Sequence, residues 1–239
     1  MKFSFVAATL FAAALSACGG GNSGGSNGNN QPTVTTASDT EIIADIKSSN
    51  IDFLSFNRPA GTWRWSATPQ QHILVYIPAP ASGNATEQDY ANKTQNAITQ
   101  INTKLRNLLI LESVSTIPAS GNYIRVSYST SYVPSGSTNY QSYCANVATG
   151  PNIGNVIQPD NQNSIGSSPI FVNLGNGHCD VTQNIVVHEF GHALGLANHF
   201  NGFGIGDSIS TAFWDVLATL YGNPQSTIAQ QLLVRRAAN

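Results

Sequence analysis

Apolar residues recur at three- and four-residue intervals in a long stretch at 86–111. This spacing gives a helix one apolar face, so a long first helix is predicted there. Earlier, the segment 38–41 has the form of a helix capping box and predicts a short helix. A similar cap, Asp180 with Gln183, precedes a further helical pattern at 184–194. Near the end of the chain, the apolar positions at 226–236 indicate a closing helix.

Short apolar runs typical of strands alternate with these helical stretches. They lie at 72–77, 123–128 and 169–174, and an aromatic segment at 61–65 precedes the first of them. Their β-branched and aromatic residues predict strands of one sheet, with 61–65 as a hairpin partner or first strand. Strands and helices in this order indicate an α+β fold.

The helical pattern at 184–194 contains H-E-x-x-H, in the form of His188, Glu189 and His192. Residues four apart lie on the same face of a helix, so the two imidazoles can bind one metal ion. Neutral imidazoles suit zinc, which in catalytic sites has three protein ligands and a water. The alternative is an ordinary amphipathic helix whose apolar stripe packs into the core.

A third ligand for such an ion must come from beyond this helix. Gly195 tolerates the left-handed conformation that ends a helix, so the chain can turn there and bring His199 toward the pair. Asn198 and Asp207 are the alternative ligands, since both follow the same turn closely. Imidazole is a better zinc ligand than a neutral amide oxygen, which favours His199 and a site for one zinc ion.

These residues resemble the metzincin zinc-peptidase pattern, H-E-x-x-H-x-x-G-x-x-H. The segment 188–195 matches it at every specified position, whereas its final histidine falls on Asn198 and the chain has His199 one residue later. The family's methionine turn has no methionine here, because Met1 is the only one, and Leu217 stands at the corresponding position of the most similar segment. The resemblance implies a metzincin-like α+β fold. Its features are a twisted mixed sheet, a long first helix, an active-site helix and a small C-terminal subdomain.

The same resemblance implies a zinc-dependent endopeptidase. Zinc polarises the scissile carbonyl and acidifies its bound water, and Glu189 would take that water's proton as general base. Peptide substrates would add to an edge strand, for which the last strand before the active-site helix is the candidate. Its central residues are Ile170, Phe171, Val172 and Asn173. The alternative function is a catalytically silent surface lipoprotein that uses the same fold to bind protein or glycan.

The first residues indicate export and a lipid anchor. An apolar run at 3–15 is too short to span a bilayer but typical of a signal peptide. It ends in Leu-Ser-Ala-Cys, which resembles a bacterial lipobox and implies cleavage after residue 17 and lipidation of Cys18. An ordinary secretory signal with an incidental cysteine is the alternative. Residues 18–38 are then a flexible tether to a bacterial membrane, on its periplasmic or cell-surface face, and 39–239 are the catalytic domain.

Composition narrows the set of partners. Charged residues make up 9% of the chain and the net charge is −2, with no run of lysine or arginine. These values argue against nucleic acid or acidic lipid as a partner. We expect a monomer that meets peptide or protein substrates and touches the membrane through its lipid anchor alone.

Two cysteines remain once Cys18 is lipidated. Cys144 and Cys179 would then be the available pair in an oxidising compartment, which predicts a disulfide. A zinc site that uses Cys179 and His178 is the alternative.

Overall fold

A five-stranded mixed sheet lies at the centre of the structure, a computed structural model that describes residues 36–54, 60–66, 72–119, 122–154, 169–206 and 209–239. Its strands are β1 (Ile73–Tyr76), β2 (Leu111–Val114), β3 (Ile124–Tyr128), β4 (Ala145–Ala148) and β5 (Ile170–Leu174). A separate pair of two-residue strands comprises β6 (Phe200–Asn201) and β7 (Gly204–Ile205). The strands predicted at 72–77, 123–128 and 169–174 are therefore present in slightly shorter form.

Four helices of at least two turns accompany the sheet in the described residues. They are α1 (Asp39–Ile46), α3 (Ala85–Lys104), α4 (Gln183–Ala193) and α5 (Thr211–Gly222), while α2 (Asp52–Leu54) is a single turn. α4 packs against α3, β4 and β5, and α5 packs against α1. This combination of a mixed sheet and helices agrees with the predicted α+β class.

The order of the strands contradicts one predicted site. The order is β2-β1-β3-β5-β4, with β4 antiparallel to β5 and the other neighbouring pairs parallel. β5 thus has hydrogen-bonded neighbours on both sides, and all five of its residues are buried. The prediction of a substrate-binding edge there is wrong, because an internal strand has no free side for a peptide. It concerned Ile170, Phe171, Val172 and Asn173. In the described part of this sheet, the edges are β2 and β4.

α3 is the predicted long first helix, but it ends before residue 111. The side chain of Asn84 caps its start by accepting a hydrogen bond of 3.1 Å from Glu87 N. Shortly after its end, Asn107 has a φ of 67°, a left-handed conformation that asparagine tolerates. The chain turns there, and Leu111 begins β2 instead of a further helical turn.

The start of α4 differs from the prediction. The side chain of Thr182 accepts a hydrogen bond of 3.3 Å from Ile185 N and is the cap. Asp180, the predicted cap, is exposed and lies 3.8 Å from the ammonium of Lys93. Two residues separate the predicted and observed caps, and the helix itself is present as expected.

Leu217 lies in the fully buried interior of α5. A residue inside a regular helix does not form a turn, so the predicted methionine-turn position at Leu217 is wrong. The segment forms the regular helix α5 instead.

The predicted closing helix at 226–236 is reduced to the single 3-10 turn Ala229–Gln231. The chain beyond it runs along α5, whose side chains bind its backbone. Asn223 Oδ1 accepts from Leu233 N at 3.0 Å, and Thr219 Oγ1 accepts from Arg235 N at 3.0 Å. These bonds satisfy amides that a helix would have paired internally.

The aromatic segment at 61–65 is not a strand of the central sheet. Its Thr62 donates from the backbone N to Thr227 O at 2.9 Å and accepts from Ser226 N at 2.7 Å. The predicted hairpin with β1 is therefore wrong, because this segment pairs with the C-terminal chain.

The N-terminal part of the domain begins with the predicted capping box. Ser38 Oγ accepts from Glu41 N, and the Glu41 carboxylate accepts from Ser38 N at 2.7 Å. A π-helical turn, Lys47–Ile51, follows α1 and contains the fully buried Asn50. One continuous apolar core joins this region to the sheet, α3, α4, α5 and the C-terminal segment.

The disulfide between Cys144 and Cys179 is confirmed, with Cα atoms 5.7 Å apart. It joins the residue before β4 to the loop before α4, and it excludes a zinc site built on the Cys179 thiolate.

The signal peptide, Cys18 and the tether up to residue 35 lie outside the described residues. In the part of the chain that the structure describes, no helix combines the length and apolarity needed to cross a membrane.

Candidate metal centre

Three imidazole rings converge beside the C-terminal end of α4. Nε2 of His188 lies 3.0 Å from Nε2 of His192 and 3.0 Å from Nε2 of His199, and the latter two atoms are 3.3 Å apart. These three side chains are the group that could hold a metal ion among the described residues. The structure thus brings together the three histidines predicted as ligands.

α4 presents the first two rings on one face because His188 and His192 are four residues apart. Val187 and Phe190, which point elsewhere on the same helix, are buried in the core and fix its rotation. The sequence also allowed an ordinary amphipathic helix whose apolar face packs into the core. α4 has that apolar face, and it presents His188 and His192 as well.

Gly195 ends α4 in the expected way. Its φ is +116°, and an added Cβ would lie 3.2 Å from Trp63 O and 3.3 Å from Asn50 Nδ2. Leu196 N donates to Gly191 O at 3.0 Å, which closes the helix end. A residue with a side chain would be strained here, so glycine is needed for the turn that leads to the third histidine.

Side chains from distant segments bind the last carbonyl oxygens of this helix end, at residues 193–195. The donors, in order, are Trp65 Nε1 at 2.7 Å, Tyr221 OH at 2.9 Å and Asn50 Nδ2 at 2.7 Å. Helix ends leave carbonyls without helical partners, so these contacts fix the path of the chain after α4. Burial raises the pKa of Tyr221, whose hydroxyl is a hydrogen-bond donor in this cap.

The contacts of Asn198 explain why the third histidine of the site is His199, one residue later than in the metzincin pattern. Asn198 Nδ2 donates to Ser48 O in the π-helical turn at 2.9 Å. The backbone bends at Asn198, and Ala197 N also donates to Ser49 O at 2.7 Å, so the chain is tied to the π-helical turn just before His199, whose ring lies with the other two. Asp207, the remaining alternative ligand, lies outside the described residues.

One ring has a defined tautomer. His192 Nδ1 lies 2.5 Å from Leu196 O and donates its proton to it, which leaves the Nε2 lone pair facing the other two rings. Burial lowers the pKa of His192 to about 3, and it also lowers the pKa of His199. Both rings are therefore neutral near pH 7, the form that binds metal ions.

Glu189 follows His188 on α4 and is only 7% exposed. Burial raises the pKa of its carboxyl to about 8. A buried carboxyl with a displaced pKa, next in sequence to a candidate ligand, has the properties of a group that transfers protons.

Phe203 is a site residue that the sequence did not reveal. Its ring is stacked on His188 with centroids 4.3 Å apart, and it lies 4.9 Å from His192 and 5.5 Å from His199. The signal available in the sequence was its place between two glycines in the loop that directly follows His199. That pattern indicates a tight loop, but it does not say where the ring points.

Known proteins do not supply a family for this chain. No family model matches it, and no curated protein matches it at a significant level. The chemistry of the site therefore has to be inferred from the geometry of its own residues.

Proposed function

We propose that the protein is a zinc-dependent endopeptidase in which His188, His192 and His199 hold one zinc ion. The observation that carries this proposal is the triangle of Nε2 atoms with sides of 3.0, 3.0 and 3.3 Å. Zinc–imidazole bonds of about 2.0–2.1 Å with tetrahedral angles put ligand nitrogens about 3.3–3.4 Å apart. The triangle is close to that size.

Hydrogen bonds among the rings do not account for this triangle. Each neutral imidazole has one N–H, and His192 already donates its own to Leu196 O. With Nε2 of His192 as an acceptor, the N–H groups of His188 and His199 can satisfy two sides at most. The third side then brings together two nitrogens without a favourable arrangement, whereas a cation at the centre attracts all three lone pairs.

Zinc would supply Lewis-acid polarisation of the scissile carbonyl and a nucleophilic water. The chain's own contribution to the proton transfers would be Glu189. Burial alone favours its protonated form, but a cation held by the neighbouring His188 would favour the carboxylate, which could accept a proton from the attacking water and deliver it to the leaving amine. The hydrogen bond from His192 to Leu196 O holds that ring in the ligating tautomer. The capped helix end, with Gly195 at its turn, holds His199 in place.

The edge strand β4 is the place where an extended peptide would bind. It is the edge of the described sheet that packs against α4, the helix with two of the histidines and Glu189. A peptide that pairs with β4 would gain main-chain hydrogen bonds, the recognition mode predicted for β5. Because Asn146, Val147 and Ala148 are buried, the segments that cover them would have to move to admit the peptide.

A metzincin-like arrangement is part of the same proposal. It is supported by the mixed sheet, the long helix α3 and the motif on α4 followed by Gly195. The chain departs from that pattern in having Phe203 against the histidines and no methionine turn at Leu217.

The decisive test is Glu189→Gln, which keeps the side-chain size and removes the base. We expect stoichiometric zinc by metal analysis and a drop of about 10²–10⁴-fold in the hydrolysis of a mixed peptide library. Glu112→Gln, on the exposed edge strand β2, is the matched control and should change neither value. Undiminished hydrolysis in Glu189→Gln, or a wild type without zinc, would overturn the proposal. A wild type that binds zinc but cleaves nothing would favour the silent surface lipoprotein.

We also propose that the protein is exported and anchored to a bacterial membrane by lipid on Cys18. The disulfide supports an oxidising compartment, since such bonds are rare in the cytosol. Cys18→Ala should release the protein from the membrane fraction or block removal of the signal peptide. Unchanged fractionation with detergent would show that the anchor is elsewhere.

A further inference from the structure

The geometry points to Phe203 as a positioning residue of the metal centre, and this inference rests on the proposed function only in requiring that the histidines bind a metal ion. We infer that its ring is a rigid apolar support that holds the three imidazoles in their converging orientation. The support acts on the ligands and takes no part in the proton transfers.

Phe203 contacts the three rings in different ways. The ring of His188 is stacked on it at 24°, whereas the rings of His192 and His199 meet it at 60° and 79°. Imidazole rings turn easily about their last side-chain bond, which has a broad torsional preference. A flat ring in contact with all three restricts these rotations together, and a branched aliphatic side chain has no such face.

The backbone of Phe203 is fixed relative to the third ligand. Phe200, the residue directly after His199, donates from its N to Phe203 O at 3.0 Å, and Phe203 N donates back to Phe200 O at 2.9 Å. Gly202 has a φ of +88° and donates to Ile205 O at 2.8 Å. The third ligand and its support therefore belong to one small hydrogen-bonded loop.

Two glycines provide the space that this packing needs. A Cβ on Gly191 would lie 2.8 Å from the Phe203 ring and 2.7 Å from the Phe213 ring. A Cβ on Gly204 would lie 2.6 Å from the ring of His199, and the φ of Gly204 is +76°. The mid-helix glycine, unfavourable for helix stability, is thus explained by the close approach of the aromatic support.

A second aromatic ring packs against Phe203. Phe213 on α5 stacks on Phe203 with centroids 5.2 Å apart and planes inclined by 19°, and Trp214 packs against Phe213. Both phenylalanines are fully buried. Phe203 has ring contacts with all three histidines, whereas the ring contacts of Phe213 shown here are with Phe203 and Trp214, which makes Phe213 a matched control.

The experiment compares Phe203→Leu with Phe213→Leu in the full chain. The measurements are the zinc dissociation constant by competition with a chelator, the visible spectrum of the cobalt-substituted protein, and the unfolding temperature of the metal-free protein. Residues that orient metal ligands typically contribute 10–100-fold to affinity. We expect Phe203→Leu to weaken zinc binding by about that factor and to alter the cobalt bands. Phe213→Leu removes a ring that packs on Phe203 and not on the histidines, so it should lower the unfolding temperature similarly but change the spectrum and the affinity much less than Phe203→Leu does.

Equal effects of the two variants on affinity and on the cobalt spectrum would overturn the inference, because Phe203 would then act only as core packing. If Phe203→Leu does not fold, Phe203→Met decides the question, since a flexible thioether fills the volume without a flat face. A wild type that binds zinc but cleaves no peptide would remove the peptidase proposal and leave this inference intact. A wild type that binds no metal would remove both.

Discussion

The side chains of the candidate metal centre are oriented by two different physical constraints, the regular geometry of α4 and hydrogen bonds between distant segments. His188 and His192 share a face because four residues separate them on a helix, and that geometry follows from the sequence alone. The orientation of His199 depends on a hydrogen bond from Asn198 to Ser48 O, across 150 positions of sequence. Phe203 was missed for the same reason, since a glycine-rich loop does not reveal where its one aromatic ring packs.

Replacing the third histidine tests this assignment directly. His199→Ala should weaken zinc binding by more than the 10–100-fold typical of an outer-shell partner, because it removes a ligand itself. Asn198→Ala keeps all three ligands, so it should keep stoichiometric zinc with a smaller loss of affinity than His199→Ala, and lose about 1 kcal/mol of stability with its hydrogen bond to Ser48 O. Equilibrium dialysis and denaturant unfolding give the two quantities.

His72→Ala is the control for that comparison, since His72 is exposed and pairs with Glu112 far from α4 in sequence. It should leave zinc binding unchanged. Tightly held stoichiometric zinc in His199→Ala, or loss of zinc only in Asn198→Ala, would show that the third ligand has been assigned wrongly.

The sequence predicted most helices and strands correctly as to type, but it predicted their end residues and the order of the strands in the sheet less well. α3 and α4 follow from their apolar periodicity, but α3 ends early because Asn107 adopts a left-handed conformation. The C-terminal chain is helical only over the 3-10 turn Ala229–Gln231, and side chains of α5 pair amides beyond that turn. The edge assignment of β5 failed since strand order depends on contacts between distant segments, which periodicity does not contain.

The π-helical turn acts on the metal centre through one buried side chain. Asn50 Nδ2 donates to Trp63 O and Gly195 O, both at 2.7 Å, and Asn50 Oδ1 accepts from Trp63 N at 3.1 Å. Asn50→Ala leaves these buried groups unsatisfied, at about 1–3 kcal/mol each before relaxation. We expect a stability loss of about 3 kcal/mol or more and weaker zinc binding, because the turn at Gly195 loses its anchor.

Asn84→Ala separates these two effects, since Asn84 caps α3, a helix that contains none of the three histidines. It should cost about 1 kcal/mol of stability without a change in zinc affinity. If chelator competition gives Asn50→Ala and Asn84→Ala the same zinc affinity, the π-helical turn supports the fold alone.

At the level of the whole molecule, the disulfide links the proposed peptide-binding strand to the candidate catalytic helix. Cys144 directly precedes β4, and Cys179 lies in the loop before α4. Gly175 N also donates to Cys144 O at 2.7 Å, which ties the same point to the end of β5. The pairing was predictable by elimination among three cysteines, whereas its place between these two elements was not.

The variant with both Cys144→Ser and Cys179→Ser tests this link. A bond across 35 residues stabilises by about 3–4 kcal/mol in the chain-entropy model. For a chain of this size that corresponds to a fall of about 6–16 °C in the unfolding temperature. Thermal unfolding with and without reductant measures it, because reduced wild type should match the variant.

The same variant distinguishes a bond that only stabilises the fold from one that also orders the peptide-binding edge. The histidines are held by α4, Gly195 and the loop of Phe203, none of which contains either cysteine. We therefore expect zinc affinity to stay close to wild type below the unfolding temperature. KM for peptides should rise, because β4 loses its covalent connection to the segment that leads into α4. An unchanged KM with the expected loss of stability would mean that the peptide does not bind on β4. A loss of zinc would mean that the disulfide also supports the three histidines, although no segment that holds them contains either cysteine.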